Sequence, residues 1–367
     1  MQVQRAVLPN TGRVTWMVLD NNYLPIRPIT TFLAHLENIE RSPNTIRAYA
    51  YHLKLFWEYL KEFQLEWTDI GLDELGAFVH WLRFSYPTNI IPISHEQTAR
   101  RGETTVNAIL ASVSTLYDYH ERTGTVKHIP MFRTSAYPHK RYKRFLHHIS
   151  KGKPIARSTL RLRERARLPA TVTREQVQQL IEACPRHRDK FLIALMDETG
   201  MRVGQALGLR HEDIVSWENL IHIVPRSDNA NGARSKCSKL NTVHVSKELM
   251  ERYKNYLVYE LEGIVSDYVF INLWDGPIGR PMQYSSVAAL FHRLSKKIDT
   301  KITPHMLRHT HATEMLRACG NLKAVQERLG HSNLQSTEIY LHLINDDLKQ
   351  AHQKFLNSKR EKAKVNE

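Results

Sequence analysis

The 367-residue sequence predicts a mainly α-helical protein with a small antiparallel β-sheet, arranged as two units joined by a basic strap. Three observations predict it. Apolar side chains recur at three- and four-residue spacing from Ile29 to about Gly124 and again from Thr171 onwards, the period of helices with one buried face. Runs rich in β-branched residues are short and few. Between the two helical regions, residues 131–170 lose the apolar period and gather charge of one sign. The length suits roughly two to three domains at about 150 residues each, and 42% hydrophobic with 24% charged residues excludes a disordered or fibrous chain.

Residues 1–25 read as an appendage of short strand and loop, because RVTWMVLD alternates after a turn signal at Asn10, Thr11 and Gly12. Residues 26–130 read as a helical bundle. Ser42 suits an N-cap and Pro43 the first position of a helix whose stripe is Ile46, Tyr49, Leu53, Phe56, Trp57 and Leu60. Leu75, Phe78, Val79 and Leu82 mark a helix over 72–84, and Val106, Ile109, Leu110, Val113, Leu116 and Tyr117 mark one starting at Thr104. The strap, 131–170, comes next. Residues 171–345 form the second unit, opening with helices QVQQLIEA and KFLIALMDETG, the latter closed by Gly200, a residue type that tolerates the left-handed backbone past a helix end. LIHIVP (220–225) and NTVHV (241–245) read as strands flanking a polar loop, and YVFIN (268–272) as a third strand. Residues 346–367 begin as an amphipathic helix through Leu348, Ala351, His352 and Phe355 and end as a charged tail.

Lys and Arg number 52 against 37 Asp and Glu, a net charge of +15. That sign suits a polyanionic partner, without choosing among DNA, RNA and anionic lipid. No run approaches the about 18–20 apolar residues of a membrane span, and the N-terminus has no secretory pattern, so a cytoplasmic location is expected. Cys184, Cys237 and Cys319 are odd in number and far apart, which argues against a disulfide framework or a cysteine zinc site. From His139 to Pro169 there are eleven basic residues, Lys140, Arg141, Lys143, Arg144, Lys151, Lys153, Arg157, Arg161, Arg163, Arg165 and Arg167, against the single acid Glu164. This reads as a strap tracking phosphates and releasing a counterion at each contact; a solvated surface linker is the alternative.

In TPHMLRHTHATEML, Thr303 suits an N-cap and Pro304 the first helical position. His305 then lies in the first turn, with Arg308 one turn along the same face. An imidazole, a guanidinium and the free amides of a helix start together suit a phosphate, although an isolated HxxR is more often two surface polar residues. His305, His309 and His311 also invite a zinc reading, since His at i and i+4 is a ligand spacing. Against it, the helix puts His311 on another face and no Cys or carboxylate cluster completes a shell. In LKAVQERLGHSNLQSTEIYLHL, Gly330 ends one helix, His331 stands at the break, and Tyr340 follows nine residues later. On an unbroken helix those two side chains would oppose each other, whereas the break lets them converge. Alone, Tyr340 reads as a half-buried core residue, and Arg202 in DETGMRVGQALGLRHEDI as a surface arginine.

Taken in order, TGMRVGQALGL, a lysine-bearing hairpin, HMLRH, LGHSN and a tyrosine nine residues after that histidine resemble the catalytic domain of the tyrosine recombinases, the phage integrase family. The resemblance runs over nearly the whole chain, because SPNTIRAYAYHLKLFWEYL and TTVNAILASVSTLYDYH look like the family's helical, SAM-like core-binding domain. It implies a C-shaped clamp on double-stranded DNA. By motif, Arg202 matches the first arginine, His305 and Arg308 the HxxR pair, His331 the later His/Trp position and Tyr340 the nucleophile. Lys236 matches the hairpin lysine, with Lys239 in reserve. One departure stands out: Gln205 occupies a position where the family often has a carboxylate.

The resemblance implies a transposase-type site-specific recombinase of a bacterial mobile element, which cleaves and rejoins DNA through a 3′-phosphotyrosyl link with no metal, ATP or other cofactor. His305 would assist proton transfer from Tyr340, Arg202, Arg308 and His331 would stabilise the phosphorane, and Lys236 would protonate the leaving 5′-oxygen. It further implies a tetramer on two DNA sites with exchange of C-terminal helices, accessory recombinases or directionality factors as partners, no membrane partner, and association with the nucleoid. A type IB topoisomerase shares the chemistry, and a non-catalytic DNA-binding regulator would explain only charge and helicity. An RNA-binding module fits least, for want of an RRM-type aromatic motif.

Overall fold

In a computed structural model of the chain, the described residues are 1–7, 14–84, 99–127, 132–135, 155–158, 160–164, 169–226, 228–235, 239–274, 276–330, 337 and 339–341. The chain divides into two compact units, Met1–Ala166 and Arg167–Glu367. No helix among the described residues is long and apolar enough to cross a membrane.

The first unit opens with strands β1 (Gln2–Val7) and β2 (Val14–Leu19), paired antiparallel from Gln2 opposite Leu19 to Val7 opposite Val14. Alternation along β2 turns Val18 into the core, where it is fully buried. Helices α1 (Arg27–Asn38), α2 (Pro43–Glu62), α3 (Leu72–Arg83) and α4 (Glu103–Arg122) pack their apolar stripes together. The start of α2 follows from local chemistry: Ser42 Oγ accepts the Thr45 N–H at 3.2 Å, and Pro43 occupies a position whose N–H has no helical partner. Phe56 meets Phe78 edge-on at 5.1 Å in the centre of the bundle.

The strap contains structure that its composition does not announce. Strands β3 (Phe132–Ser135) and β4 (Ile155–Ser158) pair antiparallel, with Arg133 opposite Arg157. Further on, the Asn107 side chain of α4 grips the backbone of Leu162, accepting its N–H at 2.9 Å and donating to its carbonyl at 3.0 Å. It also donates to Glu164 Oε1 at 2.8 Å. Leu160 and Leu162 pack against the core of the unit. The one acid of the strap is thus a fastener, and hydrogen bonds from Asn107 and Arg161 hold its carboxyl below the ordinary range. Lys140, Arg141, Lys143, Arg144, Lys151, Lys153, Arg165 and Arg167 lie outside the described residues, as does the C-terminal segment 346–367.

The second unit is built around α6 (His187–Thr199), whose Phe191, Leu192, Ile193, Leu195 and Met196 are buried on every side. Around it stand α5 (Arg174–Glu182), the short α7 (Val203–Ala206), α8 (Lys247–Glu260), α9 (Tyr284–Lys297), α10 (Pro304–Cys319) and α11 (Leu322–Leu329). The sheet has the order β5 (Ile214–Val215), β6 (Leu220–Ile223), β7 (Asn241–His244), antiparallel throughout. Its third strand is therefore β5 and not 268–272. In that run the Val269 N–H goes to the Leu209 carbonyl and the Phe270 carbonyl receives the Met282 N–H, so the backbone pairs with loops. An apolar run buried all round reveals its burial but not its partner. Thr303 occupies the N-cap of α10 with Pro304 behind it, although its side chain makes no capping bond.

Candidate active site

Arg308 lies on α10 and is only 4% exposed. Its Nη1 donates to the Gly200 carbonyl at 2.6 Å and its Nη2 to the Leu329 carbonyl at 3.0 Å. Both acceptors are helix ends, where carbonyls lack helical partners and the dipole carries partial negative charge. One guanidinium thereby ties the C-terminus of α6 to that of α11. Arg202 follows the first of these ends by two residues and His331 follows the second by two. Gly200 itself is left-handed, with φ of 63°, and a Cβ there would lie 2.7 Å from the His311 ring and 2.9 Å from the Leu329 side chain. Only glycine fits without displacement.

Arg202 stands half-buried at the N-cap of α7. Gln205, 5% exposed, turns its Oε1 back to accept the Arg202 N–H at 2.8 Å. A neutral amide thus closes the turn that presents the arginine. Gly204 allows the next segment to approach, since a Cβ on it would come within 2.6 Å of the Arg234 carbonyl. The same segment is pinned by Asn231, whose Nδ2 donates to the Leu207 and Met282 carbonyls at 2.9 Å each, and by the Ala230 N–H, which donates to the Tyr268 hydroxyl. These contacts anchor the loop between β6 and β7. Lys236 lies outside the described residues, and Lys239 is exposed.

Tyr340 is 1% exposed and packs with Ala312, Leu316, Val325 and Leu329. Its hydroxyl lies 3.0 Å from Nδ1 of His309, the rings 5.7 Å apart. Burial raises the phenol above its ordinary range, while Arg308 and Arg202 pull it the other way. Both guanidinium charges therefore act on the phenol. Burial lowers His309, helped by the nearby charges of His305 and Arg308. His305 is exposed in the first turn of α10, and His331 lies outside the described residues. Arg202, Arg308 and Tyr340 thus share one electrostatic neighbourhood, with His305 adjoining it. The nitrogen beside the phenol, however, belongs to His309, which in the sequence stands out only by a zinc-ligand spacing, i+4 from His305 and next to Arg308.

His311 faces elsewhere, with Nδ1 3.0 Å from the Asp197 carbonyl. It lines a cavity of about 360 Å³ with Arg174, Asp197, Glu198 and Glu314. Arg174 reaches Glu314 at 2.8 Å and Asp197 at 3.6 Å. Burial lifts the Asp197 carboxyl to about 6 and lowers the His311 imidazole to about 4. Among the described residues, no three His, Cys, Asp or Glu side chains are grouped as a metal would need.

The model of the phage integrase family matches residues 170–346, and that of the phage integrase N-terminal SAM-like domain matches residues 29–124. Transposase A from transposon Tn554 of Staphylococcus aureus is 42% identical over 364 residues, which cover 99% of this chain and 100% of that protein. Among solved structures, a Tn1549 transposon integrase in complex with transposon right end DNA shares the fold, with a TM-score of 0.61 and 16% identity over 89% of this chain and 98% of that one. XerH site-specific recombinase in a post-cleavage complex with its palindromic difH substrate shares it too, with a TM-score of 0.59 and 20% identity over 91% and 90% of the two chains.

Proposed function

The chain belongs to the phage integrase family of tyrosine recombinases, and from that membership we propose that it cleaves and rejoins double-stranded DNA at specific sites as the transposase of a mobile element. The observation that carries the reading is the position of Arg308: its guanidinium joins the chain ahead of Arg202 to the chain ahead of His331, and its charge acts on the phenol of Tyr340. Residues 26–130 would grip DNA as the core-binding domain, residues 171–345 would carry out catalysis, and the basic strap, 131–170, would follow the backbone between them.

In the proposed reaction the Tyr340 oxygen attacks the scissile phosphorus in line. The Tyr340 O–P bond forms, the P–O5′ bond breaks, and the linkage energy is kept for rejoining when the 5′-hydroxyl reverses the step. The tyrosine proton leaves with help from His305, and Lys236, with Lys239 in reserve, protonates the departing 5′-oxygen. Arg202 and Arg308, joined by His331, meet the charge that grows on the phosphorane oxygens. Two arginines and a lysine around one phosphate supply the positive charge a divalent metal would bring, so cleavage should persist in EDTA. Four copies on two DNA sites, linked through their C-terminal segments, would complete the exchange.

The test is a nicked duplex whose cleaved fragment diffuses away and traps the covalent intermediate. Wild-type protein should accumulate a protein–DNA adduct, and Tyr340→Phe should form none. An adduct of undiminished yield with Tyr340→Phe assigns the nucleophile to another residue.

A further inference from the structure

Taking Tyr340 as the nucleophile, which rests on the reading above, we infer that His309 is a positioning residue that holds the phenol sheltered inside the catalytic unit until DNA is in place. Ile339 and Leu341 are 39% and 41% exposed, while Tyr340 between them is 1% exposed. Residues 339–341 therefore present Ile339 and Leu341 to solvent and turn the tyrosine inward, where a phosphate of duplex DNA cannot meet the hydroxyl. Burying a hydroxyl among Ala312, Leu316, Val325 and Leu329 is unfavourable unless it is hydrogen-bonded. His309 Nδ1, 3.0 Å away, supplies that bond.

Burial and the neighbouring charges of His305 and Arg308 favour the uncharged imidazole. In its Nε2–H tautomer the ring accepts at Nδ1 the hydrogen bond that the phenol O–H donates. To attack, Tyr340 must exchange this bond for a place beside the phosphate. His309 therefore sets the proportion of molecules whose nucleophile is out. Removing the acceptor leaves the inward hydroxyl unpartnered and shifts that balance outward by roughly tenfold, the effect of one orphaned buried hydroxyl.

The experiment compares wild type, His309→Leu and His309→Asn, since the Asn amide oxygen can occupy the place of Nδ1. Two readouts are used: the single-turnover rate of adduct formation at saturating protein on the nicked duplex, and nitration of Tyr340 by tetranitromethane without DNA, with exposed Tyr259 as internal reference. His309→Leu should form adduct roughly tenfold faster and be nitrated faster at Tyr340, while His309→Asn stays near wild type. If His309→Leu binds DNA normally but cleaves no faster, or if Asn and Leu behave alike, the inference is overturned. Should the leucine variant not fold, His309→Phe, which fills the place of the ring without an acceptor, has the same expected outcome and the same power to overturn. Failure of wild type to form a Tyr340-dependent adduct would count against the proposed function instead; the nitration comparison would still decide the sheltering.

Discussion

Arg308 combines two tasks in one side chain, bracing two helix ends and acting on a phenol. A lysine carries the charge but presents a single ammonium on a flexible stem, which cannot span the Gly200 and Leu329 carbonyls as a planar fork does. Arg308→Lys should therefore lower the single-turnover rate of adduct formation about 10²- to 10³-fold and reduce unfolding free energy by about 1–3 kcal/mol in urea titration. Gly204→Ala tests the neighbouring contact. With the Arg234 carbonyl 2.6 Å from the new Cβ, either α7 or the loop must shift, at a cost of about 1–3 kcal/mol, and adduct formation should fall with it.

Between α6 and α10, Asp197 and His311 share a cavity and titrate with opposite consequences for stability. The Asp197 carboxyl is lifted from 3.8 to about 6 in the folded protein, so the folded form takes up its proton first as pH falls. The cost of burying its charge is present above about pH 6 and disappears towards pH 4. Asp197→Asn should thus stabilise the protein by about 1–2 kcal/mol at pH 7 and by almost nothing at pH 4, as urea unfolding at the two pH values will show. His311 is lowered from 6.5 to about 4, so its contribution runs the other way, with stability lost as pH falls from 6.5 towards 4. On the first unit, α4 holds the strap through Asn107. Asn107→Ala removes all three hydrogen bonds to Leu162 and Glu164, and trypsin should then cut after Arg161 and Arg163 several times faster, with the bundle intact.

Across the molecule, a surplus of fifteen positive charges makes salt the natural probe of DNA binding. If Lys140, Arg141, Lys143 and Arg144 each neutralise one phosphate, replacing all four by Ala should flatten the plot of log affinity against log salt by roughly three to four, near 0.9 per contact. Fluorescence anisotropy across a KCl series measures this. An unchanged slope would return the strap to the role of a solvated linker. Family membership matches this scale, because the two family models cover residues 29–124 and 170–346 while residues 125–169, which include most of the strap, fall between them.

Much of this architecture was legible in the letters. Helical periodicity located α2, α3 and α4, Ser42 and Pro43 marked a helix start, Gly200 and Gly330 marked helix ends, and the order of motifs pointed to the family. Those signals arise between residues a few positions apart, so neighbours along the chain suffice to determine them. Other features depended on distant partners. Gly200 and Arg308 are 108 positions apart, and only packing decides that they meet. Packing also decided that β5 completes the sheet, that Glu164 fastens the strap, and that Tyr340 turns inward to His309. A side chain's chemistry is written in its own letter, but which polar groups are left to satisfy one another is settled only when burial removes water from between them.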